Sequence, residues 1–192
     1  MKAVLIAVSS VLVIVSYIVY AAAILKGQAK PHRTTRFVTF LIAAIATVAL
    51  LAQGSAVAIW LSGTFAVGSL IIFLLTVKFG MGGWSRTDIL CLIISIFGIA
   101  FWQQTNNPMY ALVSSIGADF VGQIPMLIKT YRYPETETWV FYFLDATASL
   151  LTILAVGRFV PFELAVPTYV FLLDSSITVL ILRPKIARRS NV

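Results

Sequence analysis

The chain has 192 residues, 60% of them hydrophobic and only 11% charged, with a formal net charge of +7. Soluble domains carry about 25% charged residues, so this composition excludes an ordinary water-soluble fold and points to a membrane protein. The basic residues sit in short gaps between apolar runs, which argues against a nucleic-acid surface, and the single cysteine, Cys91, excludes an intrachain disulfide or a Cys-based metal site.

Lipid offers no partner to backbone N–H and C=O groups, so a crossing segment must be a helix of about 20 apolar residues. In chain order the segments that fit are 3–25, 37–52, 57–77, 89–104, 109–128, 139–156 and 162–182. The first follows Met1-Lys2 and exceeds the roughly 7 to 15 residues of a signal-peptide core, so it is expected to be a first span. Gln53-Gly54-Ser55 separates the second from the third. Gly80, Gly82 and Gly83 mark the next break, Thr105-Asn106-Asn107-Pro108 the one after the fourth, and Gly157 with Pro161 the last hairpin.

Orientation follows from Lys and Arg, which concentrate on the cytoplasmic side of membrane proteins. With seven spans, twelve of the fourteen fall on one side: Lys26, Lys30, Arg33, Arg36, Lys78, Arg86, Lys129, Arg132, Arg183, Lys185, Arg188 and Arg189. Only Lys2 and Arg158 fall on the other. The N-terminus is therefore expected outside and the C-terminus in the cytoplasm. Trp60, Trp102 and Tyr110 then lie at the outer interface, and Trp139, Tyr131 and Tyr133 at the inner one. His32 and Glu163 read as solvated or interfacial groups, and Arg183 to Arg189 as an orientation signal.

Shifted by 103 residues, the chain matches itself. Lys26 meets Lys129, Pro31 meets Pro134, Thr35 meets Thr138, Phe40-Leu41 meets Phe143-Leu144 and Ala43 meets Ala146, six identities in 18 ungapped positions. The shift lays spans one to three on spans five to seven and leaves the fourth unpaired. The expected architecture is all-α, two parallel three-helix bundles joined by a linker helix (3+1+3), with a first repeat at 1–79, a linker with the fourth helix at 80–108 and a second repeat with its basic tail at 109–192.

That arrangement, with Gln123-Ile124-Pro125 late in the fifth span and the segment from Lys129-Thr130-Tyr131-Arg132-Tyr133-Pro134 to Thr138 behind it, resembles the PQ-loop superfamily, which includes SWEET sugar transporters, cystinosin-like exporters and the KDEL receptor. The dipeptide that names the family is Pro125-Met126 here, and Ala22-Ala23 at the matching place in the first repeat. Spans three and seven hold no Asn, the residue type that SWEET-like sugar sites have in common, which argues against a sugar. The resemblance implies alternating access, with Pro125 as a hinge; Pro167 in span seven is a second candidate hinge or kink.

Three carboxylates lie inside spans: Asp119, Asp145 and Asp174. An aspartate at a helix centre costs roughly 2.5 to 3.5 kcal/mol on insertion, and none of the three has a Lys or Arg at its depth, so each is a candidate for function. Residues four apart share a helix face. Asp119 thus shares one with Ser115 and Gln123, Asp145 with Ser149, and Asp174 with Thr178; Thr152 extends the span-six stripe. Such stripes would line a path for a small solute or protons, although an aspartate can also serve only to hydrogen-bond across helices. The positions matching the three aspartates in the first repeat are Ser16, Ile42 and Ile71, so the halves are chemically unequal.

The expected function is small-solute transport by alternating access, either proton-coupled through the aspartates or facilitative, in a multi-pass cell (inner) membrane protein. A seven-helix receptor or sorting protein that binds without transport is the alternative. No lysine in span seven could form a retinal Schiff base, no Gly-x-Ser-x-Gly elbow is present and the single His32 excludes a two-His metal site, so neither an enzyme nor a cofactor is expected. The expected partners are a small-molecule solute, protons and membrane lipid.

Overall fold

A computed structural model describes residues 2–52, 56–83, 85–104, 108–156 and 161–189. These residues are helical almost throughout: α1 (Lys2–Leu25), α2 (Arg33–Ala52), α3 (Ala56–Phe79), α4 (Arg86–Gln104), α5 (Pro108–Arg132), a short 3-10 turn at Pro134–Thr136, α6 (Trp139–Val156) and α7 (Pro161–Arg189). Each apolar segment of the sequence lies in one of these helices. The breaks at Gln53-Gly54-Ser55, Thr105-Asn106-Asn107 and Gly157-Arg158 lie outside the described residues, as do the side chains of Trp60, Trp102, Tyr110, Glu163, Lys185, Arg188 and Arg189.

The helix ends have local causes. Gly27, at φ +71°, follows the last turn of α1; its N–H donates to Ile24 O at 3.0 Å and that of Gln28 to Ala23 O at 2.9 Å. This is a Schellman motif, and glycine suits its left-handed position because it has no Cβ. At the start of α4, Asp88 N–H donates to Ser85 Oγ at 3.1 Å and Ser85 N–H donates back to Asp88 Oδ2 at 3.0 Å. That reciprocal capping box satisfies donors which the first turn leaves orphaned.

Among the described residues three helical segments are long and apolar enough to cross a membrane: Lys2–Leu25, Trp139–Val156 and Leu164–Pro184. Large apolar side chains point outward, with Ile18 64% and Phe97 72% exposed, while Ser16, Thr35, Thr76, Ser95 and Thr130 are fully buried. Water disfavours this distribution and lipid does not.

The chain groups into two compact units, Met1–Ala29 with Leu127–Val192, and Lys30–Met126. In the first, α6 packs against both α1 and α7. Its core is aromatic: Tyr20 stacks on Phe141 at 4.2 Å between ring centroids, and Tyr17 meets the same ring edge-on at 6.0 Å. In the second, α2 packs on α3 and α4, and Phe73 takes Phe37 and Phe40 at 5.3 and 5.9 Å. There Gly122 lets α5 approach α2, since a Cβ at 122 would lie 2.6 Å from Val38 Cγ1. The grouping joins α1 to α6 and α7, so it does not follow the order of the repeats along the chain. A repeat relates sequences, and which helices pack together is a separate property.

Candidate functional site

Asp145 is half-buried on α6 and accepts a hydrogen bond from Ser16 Oγ of α1 at 2.7 Å. Ser16 is fully buried, and its hydroxyl also lies 2.8 Å from Val13 O of its own helix. A serine in a helix usually satisfies itself in that local way, so the second, shorter contact marks a polar link between α1 and α6. Asp174 is buried on α7, where the Thr178 hydroxyl donates to its backbone carbonyl at 2.8 Å. Ser149 is half-buried between these groups in sequence, and Thr152 spends its hydroxyl on Ala148 O at 2.9 Å. All of these belong to the first unit.

Asp119 belongs to the second unit, half-buried on α5 with Ser115 a turn before it. Gln123 Nε2 stands 3.5 Å from Asp119 Oδ2 and 3.5 Å from Thr39 Oγ1 of α2, a stretched pair of contacts at the edge of hydrogen-bonding range. Pro125 is buried inside α5 and Pro167 lies inside α7, each within a continuous helix. Their missing N–H groups leave the carbonyls one turn earlier without the usual donor.

A densely bonded group in the first unit is one that the sequence does not announce. Glu137, which follows the 3-10 turn, is buried and forms an ion pair with Lys129 of α5, also buried. Its Oε2 accepts from Tyr20 OH of α1 at 2.8 Å and from Tyr142 OH of α6 at 3.2 Å, and Lys129 Nζ is 3.5 Å from Thr136 O. Sequence reasoning counts Lys129 as one more orientation charge. The available signal was Glu137 itself, one of only seven acidic residues, eight positions from Lys129 and two before an apolar span.

His32 corrects an expectation. It is not solvated but 4% exposed, with Nε2 3.4 Å from Asp88 Oδ1. Backbone pairing carries it there: Met81 N–H donates to Pro31 O at 2.9 Å and Arg33 N–H to Met81 O at 3.2 Å, which ties the segment before α2 to the glycine loop after α3. Burial pushes the Asp88 carboxyl up, but the N–H groups of Ser85 and Gly83, the Ser85 side chain and His32 outweigh it and hold the carboxyl below its ordinary value.

The 103-residue shift links the two units. It carries Tyr20 onto Gln123 and Thr39 onto Tyr142, and both pairs meet: Tyr20 OH lies 3.3 Å from Tyr142 OH in the first unit, and Gln123 faces Thr39 in the second. Thus α1 meets α6 as α5 meets α2. The same shift carries Ser16 onto Asp119, while the partner Asp145 corresponds to Ile42.

Comparison with protein-family models, with curated proteins and with solved structures finds no match to this chain.

Proposed function

We propose that this chain is a seven-span small-solute transporter of the inner cell membrane, N-terminus out and C-terminus in the cytoplasm, built as 3+1+3 and worked by alternating access with proton coupling. The observation that carries the reading is the pair of repeat-equivalent contacts, Tyr20 with Tyr142 and Gln123 with Thr39. Two like helix pairs, each with a polar contact at the same two positions of the repeat, suit a protein that exchanges two similar conformations.

Helix positions support the repeat. The shift moves the starts of α1, α2 and α3 to 105, 136 and 159, against observed starts at Pro108, Trp139 and Pro161 for α5, α6 and α7. α4 remains as the linker. Polar groups support transport over a purely structural bundle, because Asp119, Asp145 and Asp174 all lie in the second half and each is on a helix whose other residues are mostly apolar. Asp145 with Ser16, and Asp119 with Gln123, are the groups proposed to carry protons or hold solute, along with Asp174, Ser115, Ser149 and Thr178. Pro125 and Pro167 are the proposed points of bending.

The test is flux into sealed proteoliposomes holding a trapped pH dye, offered a labelled hexose, a neutral amino acid and lysine in turn, with and without an inward proton gradient. Gradient-driven uptake of one probe, with acidification of the lumen, is expected. Saturable binding of a probe with no uptake would replace the reading with a receptor.

A further inference from the structure

Sequence counts Lys129 as an orientation charge and assigns Glu137 no role, yet the two form a buried polar cluster with Tyr20 and Tyr142. A buried ion pair is weak evidence for stability, since desolvation offsets its Coulomb attraction, and its best-attested use is in fixing one arrangement against another. Its position favours such a use. Lys129 is four residues beyond Pro125, one turn past the interruption in α5 and on the same face. α5 passes from the second unit to the first between Met126 and Leu127, immediately after that proline.

We propose that Glu137, with Tyr20 and Tyr142, is a latch that holds the end of α5 through Lys129, and that its release frees the turn beyond Pro125 when the protein opens at this end. The proposal deepens the transporter reading and rests on it for its purpose. Three helices and a turn converge on one carboxylate: α5 brings Lys129, α1 brings Tyr20, α6 brings Tyr142 and the 3-10 turn positions Glu137. Both carboxylate oxygens are engaged, so removing the charge loosens all three helix attachments together. The 103-residue shift does not reproduce the device. The positions matching Lys129, Glu137, Tyr20 and Tyr142 are Lys26, Thr34, Gln123 and Thr39, which contain no carboxylate.

Thiol reactivity of the full chain in detergent tests this without any flux assay. Thr130 is fully buried beside Lys129, and Cys91, buried on α4 in the second unit, is a built-in control. A Thr130→Cys chain is treated with a maleimide and labelling is read for each peptide, with and without Glu137→Gln. The expected result is that Glu137→Gln raises labelling at position 130 by about tenfold or more and leaves Cys91 unchanged, because local opening exposes only the residues that the broken contacts held. Equal labelling at 130 in both chains overturns the latch, as does a parallel rise at 130 and Cys91, which would mean general loosening.

If Glu137→Gln does not fold, Tyr20→Phe takes its place, since it removes the hydroxyl that ties the carboxylate to α1 and leaves the ion pair intact. The same two criteria apply to it. A latch confirmed here in a protein that moves no solute would refute the transporter reading and leave the device standing, whereas flux with unchanged labelling would do the reverse.

Discussion

Tyr20 and Tyr142 meet hydroxyl to hydroxyl at 3.3 Å, and both also reach the same carboxylate oxygen of Glu137. The relationship sets an order of importance. Tyr20 is the closer donor at 2.8 Å, against 3.2 Å for Tyr142. A hydrogen bond to a charged group contributes roughly 1.5 to 3 kcal/mol, so Tyr20→Phe is expected to fall within that range and Tyr142→Phe below it. The double variant should lose less than the sum, because the two hydroxyls share one acceptor. Chemical denaturation in detergent, compared by midpoint, checks all three.

The buried ion pair gives a second expectation by asymmetry. Lys129→Met alone leaves Glu137 charged, buried and held only by tyrosines, and the usual loss for breaking such a pair is about 3 to 5 kcal/mol. Pairing it with Glu137→Leu should recover most of that loss. A double variant as unstable as the single one would show that the tyrosine contacts, and not the charge, dominate the cluster.

Gly122 and Val38 form a size-matched contact between α5 and α2. Alanine is the better helix former by about 1 kcal/mol, but a Cβ at 122 would lie 2.6 Å from Val38 Cγ1 and 3.0 Å from its Cβ. Overpacking of this kind typically costs about 1 to 3 kcal/mol, so Gly122→Ala is expected to destabilise and Val38→Ala to rescue it. At Gly27, where nothing lies within 4 Å, alanine should show only the strain of its positive φ. Thermal unfolding of the four variants separates crowding from backbone strain.

Asp88 predicts an acid-sensitive loop. Its carboxyl is held below the ordinary value when folded, so it contributes stability above the unfolded pKa that is lost as pH falls through the folded one, that is, below about pH 4. Hydrogen exchange at the starts of α2 and α4 should therefore increase below that pH in the native chain. In Asp88→Asn the protection should be lower at neutral pH and change little on acidification.

Helix positions were legible in the sequence because apolar length, glycine and proline are local signals. Segment 139–156 coincides with α6, and α1 ends at Leu25 as expected. What escaped was long-range. Tyr20 and Glu137 are 117 residues apart, and no periodicity says that α1 packs on α6. His32 looked solvated because a basic loop is normally wet; only the backbone pairing with Met81 shows why it is buried. The match of the chain to itself can be read from the sequence, but the packing of α1 with α6 and α7 cannot, since a match between sequences does not say which helices pack together.

Asp145 is the sharpest site for separating a packing role from a coupling role. As a packing residue it offers an acceptor to Ser16, and asparagine keeps one through its amide oxygen. Asp145→Asn should then keep the stability of the native chain, and Ser16→Ala should reproduce whatever small loss remains, about 0.6 kcal/mol on average for hydrogen bonds inside membrane proteins. As a proton carrier it needs a titratable group, which asparagine lacks. The coupling reading thus expects an Asp145→Asn chain that unfolds at the native temperature, still binds or exchanges the transported probe at equal pH on both sides, and no longer accumulates it against an imposed proton gradient. Asp119→Asn and Asp174→Asn, measured alongside, tell whether one carboxylate or several carry the proton. Gradient-driven accumulation that survives all three substitutions would end the proton-coupling reading and leave a facilitative pathway in its place.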